Sequence, residues 1–461
     1  MTTEHSAGQR VDTDVVVCGS GVAGLAAACA LGRLGLEVTV LDKQRTQPSV
    51  WRGEILQPGS LSHLHAWDAL GRLEARQAVR LSRLVARTSA GDELMALDFT
   101  ALGGERPWML SHDYSTILQC MAESLGPTVR LRRGALVKNL SRDAAGRVCG
   151  VRAATNGTVL DVRAGLVVAA DGMSSRLRGH AGIRVEPDAY DHRLLSFELP
   201  GTPPVDDEVS AHVTDRGLIM IYPLPDARIR VYVQVGTYEL RGASPAELRR
   251  WCARLVGQVP ALAPVARLLE ENLHRRQLLP VHRFRAPSLV RPGIVLLGEA
   301  AHVVHPLAAQ GMNTSIGDAE ALAARLAAVD LADGASVDGA LRGYENDRMS
   351  KIQAVHTMSH NAARMMTSTS RGGRALSRRL MRGTARSRRL NQLTTYNMSG
   401  LGMRPLGRLD RLVQFGVLPD LRARSFLAPR APEPAPVPGP ASAPTPAPGP
   451  RSGTQLGRDK R

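Results

Sequence analysis

Apolar positions along this chain fall into three patterns. The first is the short continuous run: Val15-Val16-Val17-Cys18, Val38-Thr39-Val40-Leu41, Leu166-Val167-Val168-Ala169-Ala170 and Ile294-Val295-Leu296-Leu297. Runs of this length read as strands buried on both faces, as in a parallel sheet covered by helices. The second pattern lies between about Tyr190 and Gly236, where Leu194–Leu199, Leu218–Tyr222 and Ile229–Val235 read as antiparallel strands with a turn at Leu224-Pro225-Asp226-Ala227. The third is helical spacing. It covers the alanine- and leucine-rich stretch after Gly24, the set Ile117, Met121 and Leu125, the segment Pro245 to Leu273, and the set Asp318, Leu322 and Leu326. Pro245 stands at a natural helix start. Residues beyond Tyr344 are helical and basic, and from about Ala428 the chain turns Pro/Ala-rich and reads as a disordered tail.

The first run leads directly into Gly19-Ser20-Gly21-Val22-Ala23-Gly24, a helical stretch follows, and the second run closes on Asp42. Strand, glycine turn, helix, strand and acid in this order make a dinucleotide site. Gly19 permits the tight turn, Gly21 lets a pyrophosphate approach the backbone, and Gly24 lets helix and strand pack closely. The free N–H groups of the helix start, at Val22 and Ala23, face the phosphates. Asp42 can accept from a ribose diol, with Lys43 beside it.

Composition narrows the remaining classes. No run of about 18 apolar residues exists to span a membrane, and the short polar N-terminus is not a secretory signal. Five scattered cysteines without CxxC spacing argue against a zinc site, a redox dithiol or a disulfide framework, so no metal is expected and a reducing cytoplasm fits best. The net charge of +17 is concentrated between Arg364 and Arg411, where Asp410 is the only acid. No nucleic-acid motif accompanies it, so nucleic acid is not an expected partner. Two readings stay open: solvated helix faces, or peripheral association with the inner membrane face through the basic C-terminal helices, with Leu376, Leu380, Leu390 and Leu393 on apolar faces.

Two later motifs are more specific. Asp171-Gly172-Met173-Ser174-Ser175-Arg176-Leu177-Arg178 follows a buried strand, and Leu297-Gly298-Glu299-Ala300-Ala301-His302 is followed by Pro306, Gln310-Gly311-Met312-Asn313 and Asp318. With these the chain resembles the single-component FAD-dependent (class A) monooxygenases of the aromatic-hydroxylase type, nearest to ubiquinone-pathway hydroxylases and squalene epoxidases, over about Asp14 to Leu326. The resemblance implies an α/β fold: a Rossmann-like FAD-binding domain with an inserted antiparallel-sheet substrate domain, plus C-terminal helices. Residues 11–85, 126–189 and 285–345 form the FAD-binding domain, 86–125 and 190–284 the substrate domain, 346–427 a basic helical region and 428–461 the tail.

By the same resemblance the cofactor residues extend to Arg52 in the segment passing the flavin, Val137 on a strand meeting the adenine, and Asp171. Gly298 and Glu299 fall at a ribityl hydroxyl, and the loop Pro306, Gly311, Met312 and Asn313 at the flavin pyrimidine. The chain departs from the family pattern at four places: Glu299 replaces the usual aspartate, Asp42 a glutamate, Ala309 a glycine, and Ser115 a basic or amide residue.

The implied reaction is FAD-dependent monooxygenation, with NADPH or NADH as transient co-substrate and O2 as oxidant. It would hydroxylate or epoxidise a hydrophobic aromatic, quinone-like or polyene small molecule, in a cytoplasmic monomer or homodimer of bacterial specialised metabolism. His305, before Pro306, is the candidate acid or base at the flavin edge, or else a structural histidine. Phe197, Met220 and Tyr222 are candidates to line the substrate pocket, or else sheet core. A flavin-dependent reductase of prenyl-chain double bonds and a membrane-docking flavin-binding protein are the alternatives.

Overall fold

The computed structural model describes residues 9–46, 54–155, 157–201 and 207–422. Arg52 and the Pro/Ala-rich stretch from Ala428 lie outside the described residues. The strand Gln9–Cys18 is central to an eight-stranded sheet, in parallel with Thr158–Ala169 on one side and Val38–Asp42 on the other. Ile294–Leu296 and Val129–Arg133 extend it, also in parallel. Val15, Val16 and Val17 are fully buried, the outcome expected of an apolar run covered on both faces. Helix Val22–Gly32 packs on this sheet and along helix Gln310–Leu326. The close approach is made by Gly24, where a Cβ would lie 1.8 Å from the Gly19 carbonyl oxygen.

The second sheet also has eight strands, in the order His302–Val303, Gln277–Arg285, Asp188–Pro200, Arg228–Gly236, Gly217–Leu224, Glu208–Thr214, Arg83–Thr88 and Glu93–Asp98. Every pairing is antiparallel except Glu208–Thr214 with Arg83–Thr88. Its period of two sorts side chains onto two covered faces. Leu195, Phe197, Ile219 and Val231 pack under helices Pro245–Gln258 and Ala266–Glu271. Leu194, Met220, Tyr222 and Tyr232 face the other way, among Met366, Met381 and Met398 of the C-terminal helices. Phe197 therefore does not join Met220 and Tyr222 at a pocket, as the sequence reading expected. It stacks on Trp251 with ring centroids 6.4 Å apart, on the opposite side of the sheet.

Helix Tyr114–Glu123 also differs from expectation. The strands Arg83–Thr88 and Glu93–Asp98 join the second sheet, but this helix packs on Val22–Gly32 and Ala69–Ala75. Its stripe of Ile117, Leu118 and Met121 enters the core of the first sheet. Helix Pro245–Gln258 starts at its proline, with a capping box between Ser244 and Glu247.

Among the described residues four helices follow Gln310–Leu326: Gly334–Thr367, Arg371–Arg386, Arg388–Met398 and Arg408–Gln414. Leu390 and Leu393 are buried, whereas Leu376 is exposed. Arg389 is buried between Asp410 at 2.6 Å and Asp420 at 3.2 Å, so part of the basic excess is internally paired. Among the described residues no helix is long and apolar enough to cross a membrane.

Candidate active site

The glycine turn is held by its own acid. Asp42 ends its strand and accepts from the Ser20 N–H at 2.6 Å and the Ser20 hydroxyl at 2.7 Å on one oxygen, and from the Gln44 N–H at 2.7 Å on the other. A carboxylate offers about four acceptor positions, so Asp42 keeps room for a further donor. Arg133, opposite Asp42 on the next strand, donates to the Ser20 hydroxyl at 3.3 Å. Lys43 is exposed, and Val137 is half-buried on its strand. Gly21 caps helix Val22–Gly32 at φ −72° with no side-chain cap, which leaves the first-turn N–H groups to an outside acceptor. Gly19 takes φ +111°, and a Cβ there would strike the Ala170 carbonyl at 2.3 Å.

The other two motifs meet this turn. Asp171 accepts from the Ser175 hydroxyl at 2.5 Å and from the N–H groups of Arg176 and Leu177, so it caps the short helix after its strand. Arg178 then donates to the carbonyls of Met173 and Ala300, which ties the second motif to the third. Gly298 takes φ +58°, and a Cβ there would lie 2.6 Å from the Ala23 side chain. Its N–H donates to Asp318, which also holds His302 at 2.7 Å and Arg348 at 2.8 Å. Burial alone would raise the Asp318 pKa, but Arg348, His302 and the Gly298 N–H together hold it below the usual carboxylate range. Glu299 is half-buried beside this hub.

The loop before helix Gln310–Leu326 contains Ala309 in the left-handed region, at φ +48° and ψ +34°. Alanine thus occupies the conformation a glycine would take more cheaply. Pro306 is exposed, while Gly311 and Met312 are half-buried at the start of the helix. Asn313 ties this loop to the segment after Gly53: its amide donates to the Ile55 carbonyl at 3.2 Å and accepts from the Gln57 N–H at 2.8 Å. The C-terminal helices reach the same place. Gln310 donates to the Met398 carbonyl at 2.9 Å, and Gly59 to the Ser399 carbonyl at 2.9 Å.

A cavity of about 1600 Å³ opens between the second sheet and the C-terminal helices, with Leu307 and Ala308 of the loop in its wall. Met95, Met220, Met358 and Met365 are among its lining residues, flexible and polarisable apolar side chains. Tyr222 does not line it. Its hydroxyl donates to Glu54 at 2.8 Å, inside a buried cluster where Arg230 bridges Glu54 at 2.5 Å and Glu198 at 2.9 Å. His305 is fully buried. Its Nδ1 accepts from the Leu307 N–H at 3.1 Å, and its Nε2 lies 2.9 Å from His192 Nε2. Burial, then His192 and His360, push its pKa down to about 3, so it is neutral at physiological pH. With Nδ1 accepting, its proton sits on Nε2 and is donated to His192, whose Nδ1 in turn faces Asp191 at 3.1 Å.

A family model described as FAD binding domain matches residues 12–359. The chain belongs to that family. It is 31% identical over 374 residues to the 6-methylpretetramide 4-monooxygenase of Streptomyces rimosus, covering 78% of this chain and 85% of that relative. It is 27% identical over 319 residues to squalene epoxidase 3 of Arabidopsis thaliana, covering 67% of this chain and 58% of the relative. The solved structure of PqsL from Pseudomonas aeruginosa superposes with a TM-score of 0.70 at 26% identity, over 79% of this chain and 99% of that one. This flavoprotein is an FAD-dependent monooxygenase with NAD(P)H as electron donor.

The residues present fit FAD. Among the described residues, the Tyr114 hydroxyl at 3.6 Å is the one atom within 4 Å of where a Gly21 Cβ would stand, which leaves room among them for a diphosphate over the helix start. Arg133 and the Asp318–His302–Arg348 hub were not singled out from the sequence as site residues. Arg133 belongs to no motif, and only its pairing opposite Asp42 reveals it. Asp318 stood in the motif, but the partner that balances its charge, Arg348, comes from the next helix.

Proposed function

We propose that this flavoprotein hydroxylates a hydrophobic, polycyclic or quinone-like aromatic molecule held in the methionine-lined cavity. The observation that carries this reading is the cavity itself: about 1600 Å³, largely apolar, and walled at one point by Leu307 and Ala308 of the flavin loop. The name of the Streptomyces relative, a 6-methylpretetramide 4-monooxygenase, supports an aromatic substrate over a polyene. Bound FAD, reduced by NAD(P)H, supplies transfer of one oxygen atom from O2.

The chain's own residues bind and orient. The N–H groups of Val22 and Ala23 would hold the diphosphate, with Arg133, which donates to the Ser20 hydroxyl, near by. Asp42 would take a ribose hydroxyl with its remaining acceptor position, and Glu299 a ribityl hydroxyl. The loop from Pro306 to Asn313, at the start of helix Gln310–Leu326, would hold the flavin pyrimidine, and the positive end of that helix would favour negative charge there. Asp171 supports the strand end beside the glycine turn. His305, neutral and hydrogen-bonded at both nitrogens, fixes the loop and transfers no proton.

NAD(P)H oxidation by the FAD-loaded protein, in air and without oxygen, against polyphenols, quinols and polyenes tests the reading. Oxygen from labelled O2 in an aromatic product supports it. Oxygen-independent turnover to a saturated product moves the assignment to a prenyl-chain reductase. Exposed Leu376, Leu409, Leu412 and Val417 lie among arginines of the last helices, and Leu376, Arg411 and Phe415 also line the cavity. This favours docking of that mouth on an anionic membrane surface, seen as liposome binding that weakens sharply with salt. Equal binding to neutral vesicles at high salt would sink the electrostatic version.

A further inference from the structure

Half of the chain's 14 methionines line the large cavity. Met95 and Met220 come from strands of the second sheet, and Met358, Met365 and Met366 from helix Gly334–Thr367. Met398 ends helix Arg388–Met398, and Met403 follows it. Two of them are fastened beside the flavin loop. Ser359, next to Met358, donates its hydroxyl to the His305 carbonyl at 3.1 Å, directly before Pro306. The Met398 carbonyl accepts from the Gln310 side chain at 2.9 Å, toward the other end of the loop. Met398 packs in one apolar cluster with Leu307 and Ala308, and Met358 borders that cluster.

We propose that Met358 and Met398 take up an oxygen atom themselves when the reduced, FAD-loaded enzyme meets O2 with the cavity empty of substrate. The inference rests on the reading of this cavity as the oxygenation chamber, and it gives the site a second class of oxygen acceptor, the thioether. The sulfur lone pair forms the new S–O bond and the O–O bond of O2 breaks, the second oxygen leaving as water. NAD(P)H and sulfur each give two electrons, and O2 takes up all four. One NAD(P)H, one proton, one O2 and one thioether therefore give one NAD(P)+, one water and one sulfoxide. This is the balance of the hydroxylation with sulfur in the place of carbon.

Thioethers are the most easily oxygenated side chains in this wall. Among the described residues no cysteine or tryptophan lines the cavity. Of its aromatic rings, Tyr190 is hydrogen-bonded from Oη to His360 Nδ1 at 3.0 Å, and Phe415 carries no activating group. A thioether sulfur is soft and polarisable, and it is only a weak hydrogen-bond acceptor, so its lone pairs stay available. Position adds to reactivity, because a group held beside the reacting centre meets it at high effective concentration. Met398 is buried and Met358 half-buried, whereas Met349 is half-buried against Arg285 and does not line the cavity. An oxidant arriving from solvent would therefore favour Met349 over Met398, and oxygen transferred within the chamber would do the reverse. Each sulfoxide replaces a flexible apolar side chain by a polar one, so empty turnover makes the wall less apolar.

The test reduces the FAD-loaded full chain with one equivalent of dithionite, admits isotope-labelled O2 in the presence of catalase, and repeats the cycle. Peptide mass spectrometry then reads each methionine. Labelled sulfoxide at Met358 and Met398 is expected to exceed that at Met349 at least about tenfold. Unlabelled Met358 and Met398 overturn the proposal, and so does a label spread evenly over Met349 and Met173, the pattern of diffusing peroxide. In a parallel run without catalase, the peroxide released by the wild type should fall short of the flavin reoxidised by the amount of sulfoxide formed. Met358→Leu combined with Met398→Leu, whose bound-flavin spectrum reports folding, should restore the missing peroxide; a shortfall that persists overturns the assignment to these two residues. Labelled oxygen in an aromatic substrate is measured separately. Its absence with labelled methionines fails the hydroxylase reading alone, and its presence with unlabelled methionines fails this inference alone.

Discussion

Gly21 and Gly24 stand three residues apart in one motif, yet the structure assigns them opposite sensitivities. At Gly24 a Cβ would lie 1.8 Å from the Gly19 carbonyl oxygen, a backbone atom that cannot swing aside. At Gly21 the nearest atom among the described residues is the Tyr114 hydroxyl at 3.6 Å, an ordinary contact, and φ is −72°, a conformation alanine adopts without strain. For Gly21→Ala the unfolded chain loses entropy worth about 0.4–1 kcal/mol in favour of folding. A comparable cost arises because alanine is a poorer N-cap than glycine. Flavin-free stability should therefore move by less than about 1 kcal/mol. FAD affinity should respond far more strongly, because the methyl group stands where the diphosphate would approach the Val22 and Ala23 N–H groups. Two hydrogen bonds to a charged acceptor are worth about 1.5–3 kcal/mol each. Their loss amounts to about 3–6 kcal/mol, or roughly a 10²- to 10⁴-fold rise in Kd. Thermal unfolding of flavin-free protein and quenching of FAD fluorescence measure the two quantities independently. Gly24→Ala should lose both together. A folded Gly21→Ala protein that binds FAD within about threefold of the wild type would refute the placement of the diphosphate.

Three further substitutions probe the loop and its supports. Ala309→Gly relieves a left-handed alanine worth about 1–2 kcal/mol, offset in part by the freer unfolded chain; a net gain of about 0.5–1 kcal/mol should appear as a small rise in Tm. Asp318→Asn leaves Arg348 without its buried counter-charge and should cost about 3–5 kcal/mol by urea unfolding at pH 7. Because the Asp318 pKa is depressed in the folded state, its contribution is complete above the ordinary carboxylate pKa and is lost as pH falls through the folded value. The Asp318→Asn protein should therefore have a flatter acid limb. His305 has its folded pKa lowered to about 3, so the unfolded chain binds the extra proton below the ordinary histidine pKa of about 6.5. Stability should thus fall as pH drops from 6.5 toward 3, by up to about 1.4 kcal/mol per pH unit from this group. His305→Asn, which can still accept from the Leu307 N–H, should remove that slope in denaturant titrations between pH 4.5 and 6.5; an unchanged slope would mean that His305 is protonated in the fold.

Local sequence was sufficient wherever one segment carries both the geometry and its cause. The turn at Gly19–Gly24 is such a case, since tight φ values, close packing and an uncapped helix start are all consequences of missing side chains within six residues. The buried parallel strands are another, because a run such as Val15–Val17 is stable only with both faces covered. Asp171, Ser175 and Arg178 belong here too, with the first two closing a cap over a few residues. The second sheet shows where local pattern stops deciding. Both of its faces are covered, one by Pro245–Gln258 and the other by the C-terminal helices, so apolar content no longer marks which side of Leu194–Leu199 meets the cavity. Phe197 accordingly falls on the far face, and Tyr222 is drawn into the Glu54–Arg230 ion cluster. The C-terminal helices read as a basic surface from their arginines alone. Burial of Leu390 and Leu393, pairing of Arg389 with Asp410 and Asp420, and the contacts of Met398 and Ser399 with Gln310 and Gly59 come from elements far apart in sequence. Tyr190 and His360, 170 positions apart, belong to no motif. Only packing of the long C-terminal helix across the sheet brings phenol to imidazole, because hydrogen bonds of 3.0 Å depend on tertiary register, which periodicity and composition do not encode.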